Sequence, residues 1–212
     1  MFKHLAALDS VVDRGLRPVV RLLHLRLGLS PNAVSWAAFG ASIAAAVVIA
    51  AGHDRAGLGL VALGQMLDYF DGGIARQFGL ASVEGARLDT LLDRASEAVI
   101  FLGFAFAGLA SLKLVLLTLT AVLLGSAIYE RSGLDPGFKR VVLYLGLWFP
   151  YPVLFTVIFA ANLSGYVIGL LLIDLQFQHR MDALEGDFDT VASRAARLEA
   201  AERQAVQAPR SA

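Results

Sequence analysis

Apolar positions dominate the chain in long runs rather than in alternation, and the runs are broken by short polar or Gly/Pro-rich joints. Six such stretches occupy residues near 31–51, 57–77, 85–110, 112–130, 139–162 and 164–180. "NAVSWAAFGASIAAAVVIAAG" and "VVLYLGLWFPYPVLFTVIFAANL" each offer about 20 apolar residues, enough to cross about 30 Å of hydrocarbon as helix. The pattern predicts an all-α integral membrane protein with six transmembrane helices, preceded by an N-terminal amphipathic juxtamembrane helix. Ser30 and Pro31 suit the cap and first turn of the first span. "GLDPGF" at 133–138 reads as a turn. The chain divides into a juxtamembrane segment (1–29), a membrane domain (30–180) and a cytoplasmic tail (181–212).

Before the first span, Arg14, Arg17, Arg21 and His24 recur at helical spacing opposite Leu16, Val20, Leu23 and Leu27. This stripe suits an anionic membrane surface, or equally a helix packed on the cytoplasmic end of the bundle. Pro18 predicts a kink or two short helices there. The tail reads as a solvated helix or a weak self-association segment, ending in a disordered "APRSA".

Composition agrees with the membrane reading: 57% of residues are hydrophobic, 17% are charged, and mean hydropathy is +0.65. No apolar signal-peptide core is evident near the start. The absence of cysteine excludes disulfides and thiolate metal sites. No glycine-rich nucleotide loop of the P-loop or Rossmann kind is present, and no basic–aromatic pattern suggests nucleic acid. Charge sums to zero, but fifteen of the eighteen Lys and Arg fall on one side of the predicted topology. Only Arg55 and Lys113 lie opposite, and Arg94 lies within a span. Both termini, and the ends of the helices carrying the acids described next, are therefore expected in the cytoplasm.

Those acids are the anomaly. "GQMLDYFDGGIARQ" holds Asp68 and Asp71, and "EGARLDTLLDR" holds Asp89 and Asp93. At roughly 2.5–3.5 kcal/mol for each charge at a helix centre, four unpaired carboxylates cost about 10 kcal/mol or more. Spacings of three and four put each pair on one helix face. The short loop between the helices predicts antiparallel neighbours with all four acids converging at one depth. Convergent carboxylates repel unless a cation lies among them, and an oxygen-only set selects a hard ion: magnesium, manganese or calcium. Gly72, Gly73 and Ala75 bare one face, and Arg76 can meet phosphate oxygens. Metals, a bare surface and an arginine together suit a diphosphate substrate. The plainer explanation is a set of helix-end ion pairs with Arg76, Arg87 and Arg94. It accounts poorly for four acids at these spacings.

Asp68-x-x-Asp71-Gly72-x-x-Ala75-Arg76, eight residues, then Gly85-x-x-x-Asp89-x-x-x-Asp93 resembles the complete signature of the CDP-alcohol phosphotransferases. Ser30-Pro31-Asn32 also resembles the start of that family's first span. The resemblance implies a six-helix, usually homodimeric membrane enzyme with a cytoplasm-facing cavity. Such an enzyme transfers a phospho-alcohol, such as phosphatidyl, from a CDP-linked donor such as CDP-diacylglycerol to a second alcohol, releasing CMP. It implies that Asp68, Asp71, Asp89 and Asp93 hold divalent metal, magnesium or manganese and two ions, with Asp93 also a general base. It further implies that Gly72, Ala75 and Gly85 make room for the donor's cytidine end and that Arg76 touches its diphosphate.

The acceptor is expected near "YERSGLDPGFKR". There Arg131, Lys139 and Arg140 are either topology determinants or a cationic pocket for a phosphorylated polyol such as inositol phosphate or glycerol 3-phosphate. Tyr129 and Arg131 are similar to a Tyr-x-Arg element of inositol-phosphate-using relatives, although the following loop is shorter here. A non-phosphorylated acceptor such as serine or inositol is the alternative within the family. A divalent-cation transporter and a membrane prenyltransferase are alternatives outside it.

Asp174 reads as buried in a span without a nameable partner, either at the membrane edge or closing the cavity. Glu97 is either a group supporting the acid cluster or a partner of Arg94. His53 and His179 read as interfacial, and Trp36, Trp148, Tyr144, Tyr151 and Tyr166 as interface anchors or core packing.

Overall fold

Ser30 opens the first long helix as its sequence predicts. Its backbone is extended, and its hydroxyl accepts the Ala33 N–H at 3.3 Å while Pro31 fills the first turn. The computed structural model describes residues 18–132 and 139–207, and its regular elements there are all helical. The helices are α1 (Pro31–Ala50), α2 (Asp54–Gln77), α3 (Val83–Phe106), α4 (Leu112–Ser132), α5 (Lys139–Leu143) and α6 (Tyr151–Gln207). A 3-10 turn, Tyr144–Leu147, follows α5. Gly52 and Gly108, at φ 87° and 71°, take the left-handed conformation that ends α1 and α3.

The first four predicted spans match α1 to α4 closely. The fifth and sixth do not. Where one helix was expected over 139–162, the five-residue α5 and the 3-10 turn give way to a break at 148–150. Pro150 has no N–H to donate back into a helix, which explains the break. The boundary expected near 163 is absent: Asn162 is buried within the helix, and its Nδ2 donates back to the Ile158 carbonyl at 2.8 Å. α6 therefore runs unbroken for 57 residues, about 85 Å, through the expected membrane–tail boundary at 180. Side chains at 129–132, 179–180 (with them His179) and 182–207, and the whole of 208–212, lie outside the described residues. Asp174 is exposed rather than buried, and it accepts a hydrogen bond from Gln178 one turn on at 3.3 Å.

Among the described residues, two helices are long and apolar enough to cross a membrane by themselves: α1, and the Tyr151–Gln178 part of α6. α2 and α3 are diluted by the polar residues of the motif. α1 packs along both of them, while α2 and α3 do not pack closely against each other. The expectation that they are direct neighbours is thus corrected: α1 is the common partner, and a gap separates the motif helices. Small residues make this possible, since a Cβ on Gly103 of α3 would lie 2.7 Å from the Ala46 carbonyl oxygen of α1. At the far end from the motif, Phe101 and Phe104 of α3 interlock with Phe155 of α6, with ring centroids 5.0 and 5.8 Å apart. Tyr151, expected as an anchor, donates its hydroxyl to Asp54 at the start of α2 (3.1 Å).

The expected juxtamembrane helix falls largely on residues 1–17, outside the described residues. From Pro18 the chain is helical, passing into a π-turn over Leu22–Arg26. Val20 and Leu23 pack against Val34, Phe70 and Ile74, whereas Leu22, Leu25 and Leu27 stay exposed. One face of the segment thus docks on the bundle, and its other apolar residues remain available to lipid.

Candidate active site

Asp68 and Asp71 extend from the last turns of α2, and Asp89 from the second turn of α3. One carboxylate oxygen of each lies within 4.8 Å of the others. Asp71 is buried, and its Oδ2 has no hydrogen-bond partner among the described residues. A buried carboxylate oxygen without a partner is costly. Three converging carboxylates, one of them orphaned, fit a hard divalent cation, and oxygen donors suit magnesium or manganese.

Asp93 stands apart from this trio. It lies one turn further along α3, and its Oδ1 accepts from Arg140 Nη2 at 2.5 Å. The same nitrogen also donates to the Asp93 backbone carbonyl at 2.9 Å. Of the four expected ligands, three are brought together and the fourth is engaged by an arginine.

Next to the trio lies a cavity of about 180 Å³. Asp71 and Asp89 belong both to the trio and to its wall, and Gly72, Ala75, Arg76 and Gly85 line it as well. A Cβ at Gly85 would sit 3.0 Å from Ser82 Oγ, which caps α3 by accepting the Gly85 N–H, and 3.5 Å from Asn32 Oδ1. A Cβ at Gly72 would press on Arg76 Nη1 at 3.0 Å, so this glycine gives space to the guanidinium itself. Sequence reasoning missed the part played by α1. Asn32 and Ser35 form the cavity's third wall, and the only available signal was that "SPN" does more than start a helix.

Lys139 and Arg140, expected around the turn either as topology determinants or as a cationic pocket, are the first two residues of α5. Lys139 is buried, its Nζ 3.9 Å from Glu97 Oε1, and Glu97 also accepts from Arg94 at 2.7 Å. Glu97 is the fifteenth residue of α3, about 20 Å along it, so α5 begins deep in the bundle. Such a start is compatible with a membrane interior only where protein or a polar cavity surrounds it. The 3-10 turn is tied to α2 by Tyr144, whose hydroxyl bonds Gln65 at 2.9 Å, three residues before Asp68. The side chains of Tyr129 and Arg131 lie outside the described residues.

Comparison with known proteins bears on this arrangement. A model of the family described as CDP-alcohol phosphatidyltransferase matches residues 28–172. The chain is 27% identical over 173 residues to the archaetidylinositol phosphate synthase of Methanothermobacter thermautotrophicus, covering 76% of this chain and 81% of that one. Its fold is similar to the apo crystal structure of phosphatidylinositol phosphate synthase from Mycobacterium tuberculosis. The TM-score is 0.63 at 25% identity, covering 74% of this chain and 94% of the other. The manganese–citrate complex of the same mycobacterial enzyme is similar in fold as well, with a TM-score of 0.60 at 23% identity over 78% of this chain and 88% of the other.

Proposed function

This chain belongs to the CDP-alcohol phosphatidyltransferase family, and from that premise we propose that it transfers a phosphatidyl-type group from a CDP-linked lipid to a phosphorylated polyol. Inositol phosphate is the acceptor we favour, in keeping with the similarity to archaetidylinositol phosphate and phosphatidylinositol phosphate synthases. The observation that carries the reading is the sharing of Asp71 and Asp89 between the carboxylate trio and the cavity wall. A diphosphate lying in the cavity reaches the trio without leaving it.

In this reading Asp68, Asp71 and Asp89 hold the divalent metal, magnesium or manganese, with two ions as the resemblance implies. When bound, the metal neutralises the diphosphate and the departing CMP. Gly72, Ala75 and Gly85 leave room for the cytidine end, and Arg76 contacts the diphosphate. Arg140 attracts the acceptor's phosphate from the opposite side, with Lys139 buried behind it against Glu97 and Arg131 as a further candidate. The acceptor hydroxyl oxygen attacks the phosphorus that carries the lipid, and the bond from that phosphorus to the CMP oxygen breaks. CMP leaves with the electron pair, and the hydroxyl proton passes to Asp93. We give Asp93 the base role rather than a ligand role because its carboxylate lies outside the trio, on the acceptor side. A carboxylate held by a cation is a weaker base, so the proton moves once the acceptor's phosphate draws Arg140 away.

We place the protein in the membrane through α1 to α4 and α6, with the α5 stretch as a partial fifth crossing. The active site and both termini face the cytoplasm, following the asymmetry of Lys and Arg. The homodimer implied by the resemblance is part of the proposal, and light scattering of the detergent-solubilised protein measures it.

The function is tested with purified protein, magnesium, and CDP-diacylglycerol or its isoprenoid-ether counterpart. Inositol phosphate, glycerol 3-phosphate, inositol and serine are supplied in turn, and CMP is quantified. Release with a phosphorylated polyol supports the proposal; release with serine or inositol alone moves the acceptor to the other branch. No CMP from any acceptor, with the wild type matching Asp93→Asn, overturns the enzyme reading. Metal uptake into proteoliposomes without nucleotide would then point to a transporter.

A further inference from the structure

From the last acid of the motif onward, α3 and α5 are joined by two parallel cross-links. Asp93 and Glu97 stand four residues apart on one face of α3, and the adjacent Lys139 and Arg140 meet them from α5. The outer link, Asp93–Arg140, borders the site, and the Asp93 side chain is 32% exposed. The inner link is sealed, with Glu97 and Lys139 side chains only 7% and 5% exposed. Arg94 completes the inner group through its 2.7 Å contact with Glu97. A buried acid without partners would be expensive, and here it is matched to two cations.

We infer that Glu97 is a positioning residue for the acceptor side of the reaction: by holding Lys139 it fixes the start of α5, and so the reach of Arg140 to Asp93. The inference rests on the acceptor reading above. α5 is five residues long and has little helical stability of its own, so the direction of Arg140 depends on what anchors its neighbour. A flexible arginine loses entropy when it binds a phosphate; one already oriented loses less. Asp93 and Glu97 carry two negative charges against the three positive charges of Arg94, Lys139 and Arg140. Removing the charge of Glu97 makes the group more positive. Coulomb attraction alone then predicts tighter binding of an anionic acceptor, whereas positioning predicts weaker binding. The two predictions have opposite signs, which makes the role measurable.

The experiment measures CMP-release kinetics with inositol phosphate and CDP-diacylglycerol for the wild type, Glu97→Gln, Glu97→Asp, Lys139→Gln and the Glu97→Gln/Lys139→Gln double variant. Positioning predicts an acceptor KM raised about tenfold in Glu97→Gln, with the donor KM within about twofold. Glu97→Asp restores part of the loss. The double variant is no worse than Lys139→Gln alone, because both changes break one link. If Glu97→Gln does not accumulate as folded protein, Glu97→Asp carries the test with an acceptor-specific rise of about threefold. An acceptor KM unchanged or lowered, equal shifts in both KM values, or additive effects in the double variant overturn the inference. Absence of CMP release by the wild type overturns the functional reading together with it, whereas release by the wild type with one of the former patterns overturns this inference alone.

Discussion

A single nitrogen of Arg140 bonds both the carboxylate and the backbone carbonyl of Asp93, at 2.5 and 2.9 Å. The arginine thus reads the last acid of the motif as a whole residue, and no shorter cation reproduces that double contact. Arg140→Lys keeps the charge but shortens the reach to that double contact. Losing one charged hydrogen bond of about 1.5–3 kcal/mol predicts a fall of about 10- to 100-fold in kcat/KM for the acceptor. The donor KM is expected to stay near that of the wild type, and steady-state CMP release with each substrate varied in turn checks both.

Asp71 gives a prediction of opposite signs for stability and activity. Asp71→Asn removes one of three convergent charges and leaves a neutral amide in place of the buried carboxylate. Without metal, the variant is expected to unfold at a higher temperature than the wild type, because repulsion is relieved. With added manganese or magnesium, the wild type gains thermal stability and the variant does not. Activity is expected to drop at least about a thousandfold, since the charge that holds the metal at the leaving group is gone. Thermal unfolding in detergent with and without metal, together with CMP release, tests each part.

Gly85→Ala is expected to act on the donor alone. The new Cβ lies 3.0 Å from Ser82 Oγ and narrows the cavity shared with Asn32. Displacing the Ser82 cap costs about 0.5–2 kcal/mol of stability. The kinetic signature is a donor KM raised about tenfold with an acceptor KM little changed. A variant whose acceptor KM rises instead would show that the cavity serves the wrong substrate.

At Gly103 the expected effect is structural. A methyl there meets the Ala46 carbonyl oxygen at 2.7 Å and the Ala46 Cα at 2.9 Å, which forces α1 away from α3. Overpacking of this kind costs about 1–3 kcal/mol, so Gly103→Ala lowers the unfolding temperature and Gly103→Leu lowers it further. The same displacement widens the gap between Asp71 and Asp89, and metal affinity is expected to fall in parallel. Isothermal titration with manganese reads that second effect.

The convergence of Asp68, Asp71 and Asp89 was legible because helical spacing alone puts acids on one face, and because charges in apolar helices demand a common cause. The cap at Ser30 was legible for the same local reason. The partner of each helix was not. Hydropathy marks α1 as a span but does not say that its small residues admit α2 on one side and α3 on the other. The depth of Lys139 and Arg140 was hidden as well. A basic pair after a Pro-Gly turn ordinarily marks a surface, and only the presence of Glu97 one turn beyond Asp93 hinted at buried counter-charges. The missing break at Asn162 has a similar origin: a polar residue in an apolar run looks like a boundary until its amide is seen to bond back into its own helix.

α1 carries none of the four aspartates, yet the spacing between the helices that do is set by how closely each leans on it. In mechanical terms it is a shim: a millimetre-gauge part whose thickness decides the clearance of a working gap elsewhere. Ala46, far from any substrate and chemically inert, therefore adjusts the reach of carboxylates on two other helices. A bulkier donor or a larger ion could be accommodated by changing methyl groups along this apolar seam, leaving every reacting residue in place.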